Sequence, residues 1–246
     1  MKQPICILTG ASRGLGLAMA RQLSACGTRL LTLSRRPDAS LNGPAVEQWD
    51  LDLSQPNEAA ARLQAWLSAL TSAEVASLSL INNAAGLAAP APLADSDAAE
   101  LSAALRVGLE APLLLTAAFL HGSARFEVPC KVLNISSGLG RFAMAGSAAY
   151  CAAKAGLDHL SRAVALEEAA RPHGAKIVSL APGVIDTDMQ LQLRSADPAR
   201  FAERERFANL KAEGKLDSTE AAARKVLAWL DRTDFGSQPI ADVRDA

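Results

Sequence analysis

Short apolar runs alternate with longer amphipathic stretches along the first three quarters of the chain. The runs have strand length and are rich in Ile, Leu and Val, as expected for strands buried on both faces of a sheet. They occupy residues 4–9, 28–34, 46–53, 77–82, 131–136 and 175–181. Helical patterns separate them at 14–26, 56–70, 97–120 and about 147–171. Strands joined by crossover helices predict an α/β fold, with a doubly wound parallel sheet and helices on both faces.

The pattern weakens after Pro182, where residues 183–216 are polar and charged. A helix is predicted within 197–215, and Ser218 is expected to cap a further helix over 219–231. The chain shows neither an internal repeat nor a linker rich in Pro, Gly and Ser. We therefore expect a single domain over residues 1–246.

Composition narrows the possible partners and the compartment. Lys and Arg number 25 against 26 Asp and Glu, so the net charge of −1 gives no electrostatic reason to expect nucleic acid or an anionic membrane as a partner. The four cysteines lack a CxxC pair, and the three histidines lie apart, so we expect free thiols and no metal site. A reducing, cytoplasmic setting is the default.

No segment of the sequence predicts membrane targeting. The apolar run near the N-terminus is too short for a signal peptide. Residues 111–120 form the most apolar stretch, which is shorter than a membrane span and is predicted to be a buried helix.

A glycine-rich turn follows the first predicted strand in the segment TGASRGLG, residues 9–16. Gly10, Gly14 and Gly16 would let the backbone approach a pyrophosphate whose charge meets the N–H groups of the next helix. An ordinary tight strand-to-helix turn is the alternative. The other candidate cofactor residues of this loop are Ser12, Arg13 and Leu15.

The end of the second strand carries information about the cofactor. It reads LSRR, with Arg35 and Arg36 and no acid until Asp38. An acid there would suit the ribose 2′-hydroxyl of NAD, whereas arginines suit the 2′-phosphate of NADP. Arg13 could face the same phosphate. We expect NADP, with a solvated arginine pair as the alternative.

Tyr150, the single tyrosine, precedes Lys154 by four residues on a predicted helix, so both face the same side. A phenol has an ordinary pKa near 10, and a nearby ammonium lowers it. Tyr150 is therefore a candidate general acid for a carbonyl oxygen that receives a hydride. A surface pair without chemistry is the alternative.

Five motifs in order resemble the short-chain dehydrogenase/reductase superfamily. They are TGxxxGxG at 9–16, NNAAG at 82–86, NISSG at 134–138, YxxxK at 150–154 and APGVIDT at 181–187. The resemblance implies a Rossmann fold, a nicotinamide cofactor and a catalytic set of Ser137, Tyr150 and Lys154. Ser137 lies thirteen residues before Tyr150, the usual interval; Ser136 is its rival.

The resemblance also implies contacts with the cofactor beyond the glycine loop. Thr187 would meet the carboxamide, and Asp52 would meet the adenine amino group or, alternatively, serve only as a charge at a helix start. The full set beyond the loop and the two arginines is Asp52, Leu53, Asn82, Asn83, Ala84, Tyr150, Lys154, Pro182, Gly183, Ile185 and Thr187. Gly108 replaces the asparagine that the family carries in its middle helix.

Three segments of the C-terminal third, APGVIDTDMQLQLR at 181–194, LKAEGKL at 210–216 and FGSQPIADVRDA at 235–246, resemble sepiapterin reductase and its bacterial relatives, which include reductases of vicinal diketones such as benzil. This implies NADPH-dependent reduction of a 1,2-dicarbonyl or a pterin side-chain ketone. Candidate substrate contacts are Ser137, Met144, Met189 and Asp242, the last as an acceptor for a pterin ring or, alternatively, as an ordinary acid of a polar tail. A lid is expected at about 186–215.

Three further expectations come from the same resemblance. The chain is expected to form a homodimer or homotetramer. A non-catalytic NADP-binding or sensing protein is one alternative to the proposed reductase. A reductase or dehydrogenase for an unrelated alcohol–ketone pair is the other.

Overall fold

One parallel sheet organises the chain. The computed structural model describes residues 2–245, and within them seven strands pair in the order β3-β2-β1-β4-β5-β6-β7. They are β1 (Gln3–Thr9), β2 (Arg29–Ser34), β3 (Val46–Asp50), β4 (Val75–Asn82), β5 (Cys130–Ile135), β6 (Lys176–Ala181) and β7 (Ile240–Asp242). The strand order reverses between β1 and β4, which opens a crevice at the carboxyl ends of these strands. The predicted fold class is confirmed.

Helices cover both faces of this sheet. They are α1 (Gly14–Ala25), α2 (Pro56–Ala69), α3 (Ala98–Leu105), α4 (Ala111–Ser123), α5 (Ala148–Ala169), α6 (Asp188–Arg194), α7 (Arg204–Ala212) and α8 (Thr219–Leu230). Leu63 of α2 and Phe119 of α4 belong to one apolar core, on one side of the sheet. Met19 of α1 and Val226 of α8 belong to a second core on the other side. Both faces of the strands are therefore buried, which explains their continuous apolar runs.

Two elements were not predicted, and both are short. β7 has only three residues, and its register beside β6 pairs Ala181 with Asp242. α6 has seven residues. Neither is long enough to display a hydrophobic period, so their positions depend on tertiary contacts. The helix predicted within 197–215 is present as α7 but begins only at Arg204.

The helix from Ala98 to Ser123 is continuous and contains one widened turn at Arg106–Glu110. An 18-residue window within it has a mean hydropathy of 1.6, so by length and composition alone the helix could cross a membrane, contrary to the expectation that no stretch would be long and apolar enough. Leu115 and Phe119, however, are fully buried in the core. The segment therefore has the packing of a core helix.

Candidate functional site

A cavity of about 1840 Å³ lies at the carboxyl ends of the strands. Of the candidate site residues, all except Asn82 line it. The candidate residues that line it are Gly10, Ser12, Arg13, Gly14, Leu15, Gly16, Arg35, Arg36, Asp52, Leu53, Asn83, Ala84, Ser137, Met144, Tyr150, Lys154, Pro182, Gly183, Ile185, Thr187, Met189 and Asp242. Motifs separated by more than 200 residues thus meet in one crevice.

The glycine-rich loop at one end of the cavity fits a pyrophosphate. Gly10 and Gly14 have φ values of 70° and 55°, which side chains rarely adopt. A Cβ on Gly16 would lie 2.1 Å from the carbonyl oxygen of Gly10, so only glycine permits this turn. The first turn of α1 carries no acid, and no side chain caps its N-terminus. Its N–H groups are therefore available to an anion.

Thr9 and Asn83 hold this loop against the end of β4. The hydroxyl oxygen of Thr9 accepts hydrogen bonds from the N–H groups of Asn83, at 2.9 Å, and Ala84, at 3.0 Å. The amide of Asn83 donates to the carbonyl oxygens of Thr9 and Gly10. Sequence reasoning did not assign a role to Thr9, and its only signal was its place at the start of the motif.

Asn82 does not line the cavity, so its predicted contact with the cofactor is not supported. Its side chain is buried, and its amide donates to the hydroxyl of Thr116 at 3.2 Å and to the amide oxygen of Asn134 at 2.8 Å. The alternation of side chains along a strand directs Asn82 into the interior. Asn82 links β4 to α4 and β5.

Two exposed guanidinium groups, those of Arg35 and Arg36, line the cavity beyond β2. The nearby Asp38 is engaged by Ser40, whose backbone N–H donates to the carboxylate at 2.8 Å. The hydrogen bonds from Ser40 lower the pKa of Asp38. Arg13, in contrast, forms an exposed ion pair with Asp188 of α6 at 3.0 Å. Arg13 lines the cavity as well, but its guanidinium is already paired.

Asp52 lies where both roles that the sequence left open would place it. Its carboxylate lines the cavity and also accepts a hydrogen bond from the backbone N–H of Ser54 at 2.9 Å, just before α2. This hydrogen bond, followed by the charge of Arg35, lowers the pKa of Asp52. The group is thus an ionised acceptor at the cavity wall.

Ser137, Tyr150 and Lys154 converge in the middle of the cavity. Ser137 precedes a short turn at Gly138–Gly140, and its side chain interacts with that of Tyr150. The Nζ atom of Lys154 lies 5.5 Å from the centre of the Tyr150 ring and donates a hydrogen bond to the carbonyl oxygen of Ile135 at 2.7 Å. The spacing of four residues on α5 places the phenol and the ammonium on one face, as predicted.

Burial dominates the electrostatics of this set. It raises the pKa of Tyr150 to about 12, and the interaction with Ser137 opposes this only in part. Burial also lowers the pKa of Lys154 to about 8, while the negative charge of Asp158 raises it. Lys154 is not among the groups that shift the pKa of Tyr150, so the expected lowering by the ammonium is not seen in this structure, where burial has the largest effect.

Asp158 organises a buried polar network that the sequence did not reveal. It lies one turn after Lys154 with 2% of its surface exposed. Its Oδ1 atom accepts hydrogen bonds from the hydroxyls of Ser136 at 2.5 Å and Ser179 at 2.6 Å. The Nε atom of Arg141 lies 3.5 Å from Oδ2. Because its hydroxyl is committed to Asp158, Ser136 is the weaker candidate for the substrate contact.

Apolar residues enclose the other end of the cavity. Met144, which follows the serine turn, packs with Leu193 of α6 and Phe207 of α7 in a separate apolar cluster, and Met189 packs against it. Asp186 holds these helices together through ion pairs with Arg194 at 3.4 Å and Lys211. The segment expected to act as a lid therefore forms one wall of the cavity.

Asp242, the candidate anchor for a pterin ring, also lines the cavity, but its carboxylate is already occupied. The guanidinium of Arg244 donates from Nε to Oδ1 at 2.8 Å and from Nη2 to Oδ2 at 2.6 Å. These bonds hold the pKa of Asp242 below its usual value. The sequence offered no sign of this pairing beyond the two-residue spacing.

The profile of the family described as "short chain dehydrogenase" matches residues 4–198. The chain belongs to this family. Benzil reductase ((S)-benzoin forming) of Bacillus cereus is 36% identical to it over 236 residues, which covers 93% of this chain and 94% of that protein. Sepiapterin reductase of Rattus norvegicus is 33% identical over an alignment of 259 positions, which covers 98% of this chain and 96% of that protein. The predicted resemblance to both groups is confirmed.

A solved structure shows the same architecture. The crystal structure of a metagenomic short-chain oxidoreductase in complex with NADP has a TM-score of 0.72 and 26% identity, and the match covers 98% of this chain and 95% of that one. The protein is thus an oxidoreductase of the short-chain dehydrogenase family, and its relatives include ketone reductases.

This short-chain dehydrogenase carries glycine at the position of the missing asparagine because α5 passes very close. Gly108 lies in the widened turn, and a Cβ there would lie 3.1 Å from the Cβ of Ala153, the residue before Lys154. A side chain at this position would require its neighbour on α5 to shift by a few tenths of an ångström. The carbonyl oxygen of Ile135 is the hydrogen-bond partner of Lys154 in this arrangement.

Proposed function

We propose that this short-chain dehydrogenase reduces a ketone, either a 1,2-dicarbonyl or a pterin side-chain ketone, to an alcohol with NADPH. The convergence of Ser137, Tyr150 and Lys154 in a cavity that also contains the glycine-rich loop carries this proposal. The names of its relatives, benzil reductase and sepiapterin reductase, support the two substrate classes. The proposed catalytic residues are these three.

The residues present fit a nicotinamide dinucleotide. The glycine loop would hold the pyrophosphate, Asp52 and Leu53 the adenine end, and Thr187 the carboxamide. The two exposed arginines, Arg35 and Arg36, would bind a 2′-phosphate through charge-assisted hydrogen bonds. A bound reduced nicotinamide supplies a hydride.

The chain's own residues would supply the proton and orient the substrate. The hydroxyl of Ser137 donates a hydrogen bond to the ketone oxygen, and Tyr150 donates its proton to that oxygen as the carbonyl carbon gains the hydride. The product is an alcohol, and the phenolate left behind is stabilised by the ammonium of Lys154, which is still charged at pH 7 because its pKa is about 8. A proton from solvent restores the phenol.

The direct test is a carbonyl panel assayed with NADPH and NADH in parallel, including benzil, 1-phenyl-1,2-propanedione and sepiapterin. We expect oxidation of NADPH with at least one of these substrates. Tight NADPH binding without turnover over a broad panel would instead support the non-catalytic NADP-binding protein. Turnover restricted to simple alcohols or ketones would support the unrelated alcohol–ketone pair.

The cofactor preference can be tested separately with Arg35→Gln/Arg36→Gln. We expect the KM for NADPH to rise about 100-fold or more, because two charge-assisted contacts to the 2′-phosphate are lost at roughly 1.5 kcal/mol or more each. The KM for NADH should stay nearly constant. Arg224→Gln, which removes an exposed arginine of α8 outside the cavity, serves as the control. Equal losses with both cofactors would contradict NADP specificity.

Three further features stay predictions. We propose that residues 186–215 act as a lid, since Met189, Leu193 and Phe207 line the cavity from this segment. A homodimer or homotetramer is expected in solution and can be measured by light scattering. A cytoplasmic location is expected from the composition alone.

A further inference from the structure

The pair formed by Asp242 and Arg244 lies at the substrate end of the cavity, and both residues line it. Asp242 is buried, whereas the side chain of Arg244 is 71% exposed. The carboxylate accepts three bonds from Arg244: from its backbone N–H at 3.0 Å, from Nε at 2.8 Å and from Nη2 at 2.6 Å. The guanidinium therefore stands between the carboxylate and the open cavity.

A second arginine approaches Asp242 from the side of the catalytic serine. Arg141 directly follows the turn that begins at Ser137, and its Nη2 atom donates to the carbonyl oxygen of Ala241 at 2.7 Å. Its Nη1 atom lies 3.9 Å from Oδ2 of Asp242. These contacts fix β7 and its terminal carboxylate against the turn that carries Ser137, so the pair borders the place where the ketone is expected.

This arrangement reverses the hydrogen-bonding character of the site. A bare carboxylate would accept the parallel N–H donors on the edge of a pterin ring. Here both oxygens are taken by a forked guanidinium, which is among the strongest pairings available to a carboxylate. A guanidinium has five N–H donors, and the side-chain bonds to Asp242 use two of them. The other three donors are open to the cavity and to solvent, and they can bind an acceptor oxygen of a substrate.

We propose that Arg244, oriented by Asp242, determines substrate specificity by donating hydrogen bonds to an oxygen of the substrate. It thereby selects a 1,2-dicarbonyl, whose second carbonyl oxygen is an acceptor, over a pterin ketone that presents the N–H donors of its guanidine-like edge, N3–H and the 2-amino group, to this site. This inference rests on the proposed ketone reduction and decides between its two substrate classes.

The chain contains its own control for a purely structural ion pair. Arg232 and Asp234 have the same two-residue spacing and the same forked bonds, at 2.8 and 2.9 Å. Neither residue lines the cavity. Arg232→Gln thus removes an equivalent pairing without touching the proposed site.

The test compares Arg244→Gln with Arg232→Gln and the unaltered protein. In the presence of NADPH, the kcat/KM of Arg244→Gln for 1-phenyl-1,2-propanedione should fall about tenfold or more, chiefly through KM, as expected for the loss of a charged hydrogen bond. The kcat/KM for sepiapterin should rise, because the carboxylate of Asp242 is released. Arg244→Gln/Asp242→Asn should lose that gain.

Binding separates a failure of this inference from a failure of the proposed function. Calorimetric titration of the diketone into the protein saturated with NADP+ requires no turnover, and Arg244→Gln should weaken this binding about tenfold. Absence of turnover by the unaltered protein would defeat the proposed function but leave this measurement intact. If Arg244→Gln matches Arg232→Gln in diketone affinity and in the ratio of the two substrates, the specificity role of Arg244 is wrong.

Discussion

Tyr150→Phe is expected to lower kcat by about 10³-fold, because the variant keeps the ring but loses the proton that the ketone oxygen must receive. General acid catalysis contributes roughly 10²–10⁴-fold, and no other tyrosine is present to replace this phenol. The affinity for NADPH should change little, since the hydroxyl interacts with Ser137 rather than with the glycine loop. Steady-state assays with a reducible ketone and fluorescence titration of NADPH measure the two effects.

Cys151→Ala is the matched control for Tyr150→Phe. Cys151 is the next residue of α5 and is half-buried against the apolar cluster of Met144, Leu193 and Phe207. Its replacement should change kcat by less than about threefold. A Tyr150→Phe variant that retains more than a tenth of the normal kcat would show that the proton comes from another group. A large loss in Cys151→Ala would instead point to disturbed packing of α5.

The sequence was sufficient for features that local chemistry enforces. Buried parallel strands require continuous apolar runs, so six of the strands could be placed within a few residues. Gly16 is required because a Cβ there would lie 2.1 Å from the carbonyl oxygen of Gly10, so the glycine motif identifies the loop. The four-residue spacing of Tyr150 and Lys154 fixes their common face on any helix.

Features set by tertiary contacts could not be predicted. The family motif placed Asn82 among the cofactor contacts. In the structure, its position on β4 directs its side chain to Thr116 and Asn134, away from the cavity. The pKa of Tyr150 depends mainly on how deeply the phenol is buried, which requires coordinates. The pairing of the Asp242 carboxylate depends on the side-chain rotamer of Arg244, which the sequence does not indicate.

Asp158→Asn is expected to shift the pH dependence of catalysis. The negative charge of Asp158 raises the pKa of Lys154, which burial lowers to about 8. Without that charge the pKa of Lys154 falls further, so the ammonium loses its proton at a lower pH. If catalysis requires the ammonium, the decline of kcat/KM with rising pH should begin at a lower pH in the variant. A pH profile with a saturating concentration of NADPH measures this shift.

Glu168→Gln distinguishes this electrostatic role from simple destabilisation. Glu168 is a buried acid of the same helix, which accepts a hydrogen bond from the N–H of Ala175 at 2.9 Å and pairs with Arg171 at 3.2 Å. It lies about 20 Å along the helix axis from Lys154 at 1.5 Å per residue. Loss of either buried charge should lower Tm, because charged partners are left unpaired. Only Asp158→Asn should shift the decline of kcat/KM at high pH. An unchanged pH profile would leave Asp158 with a packing role only, beneath the turn that begins at Ser137.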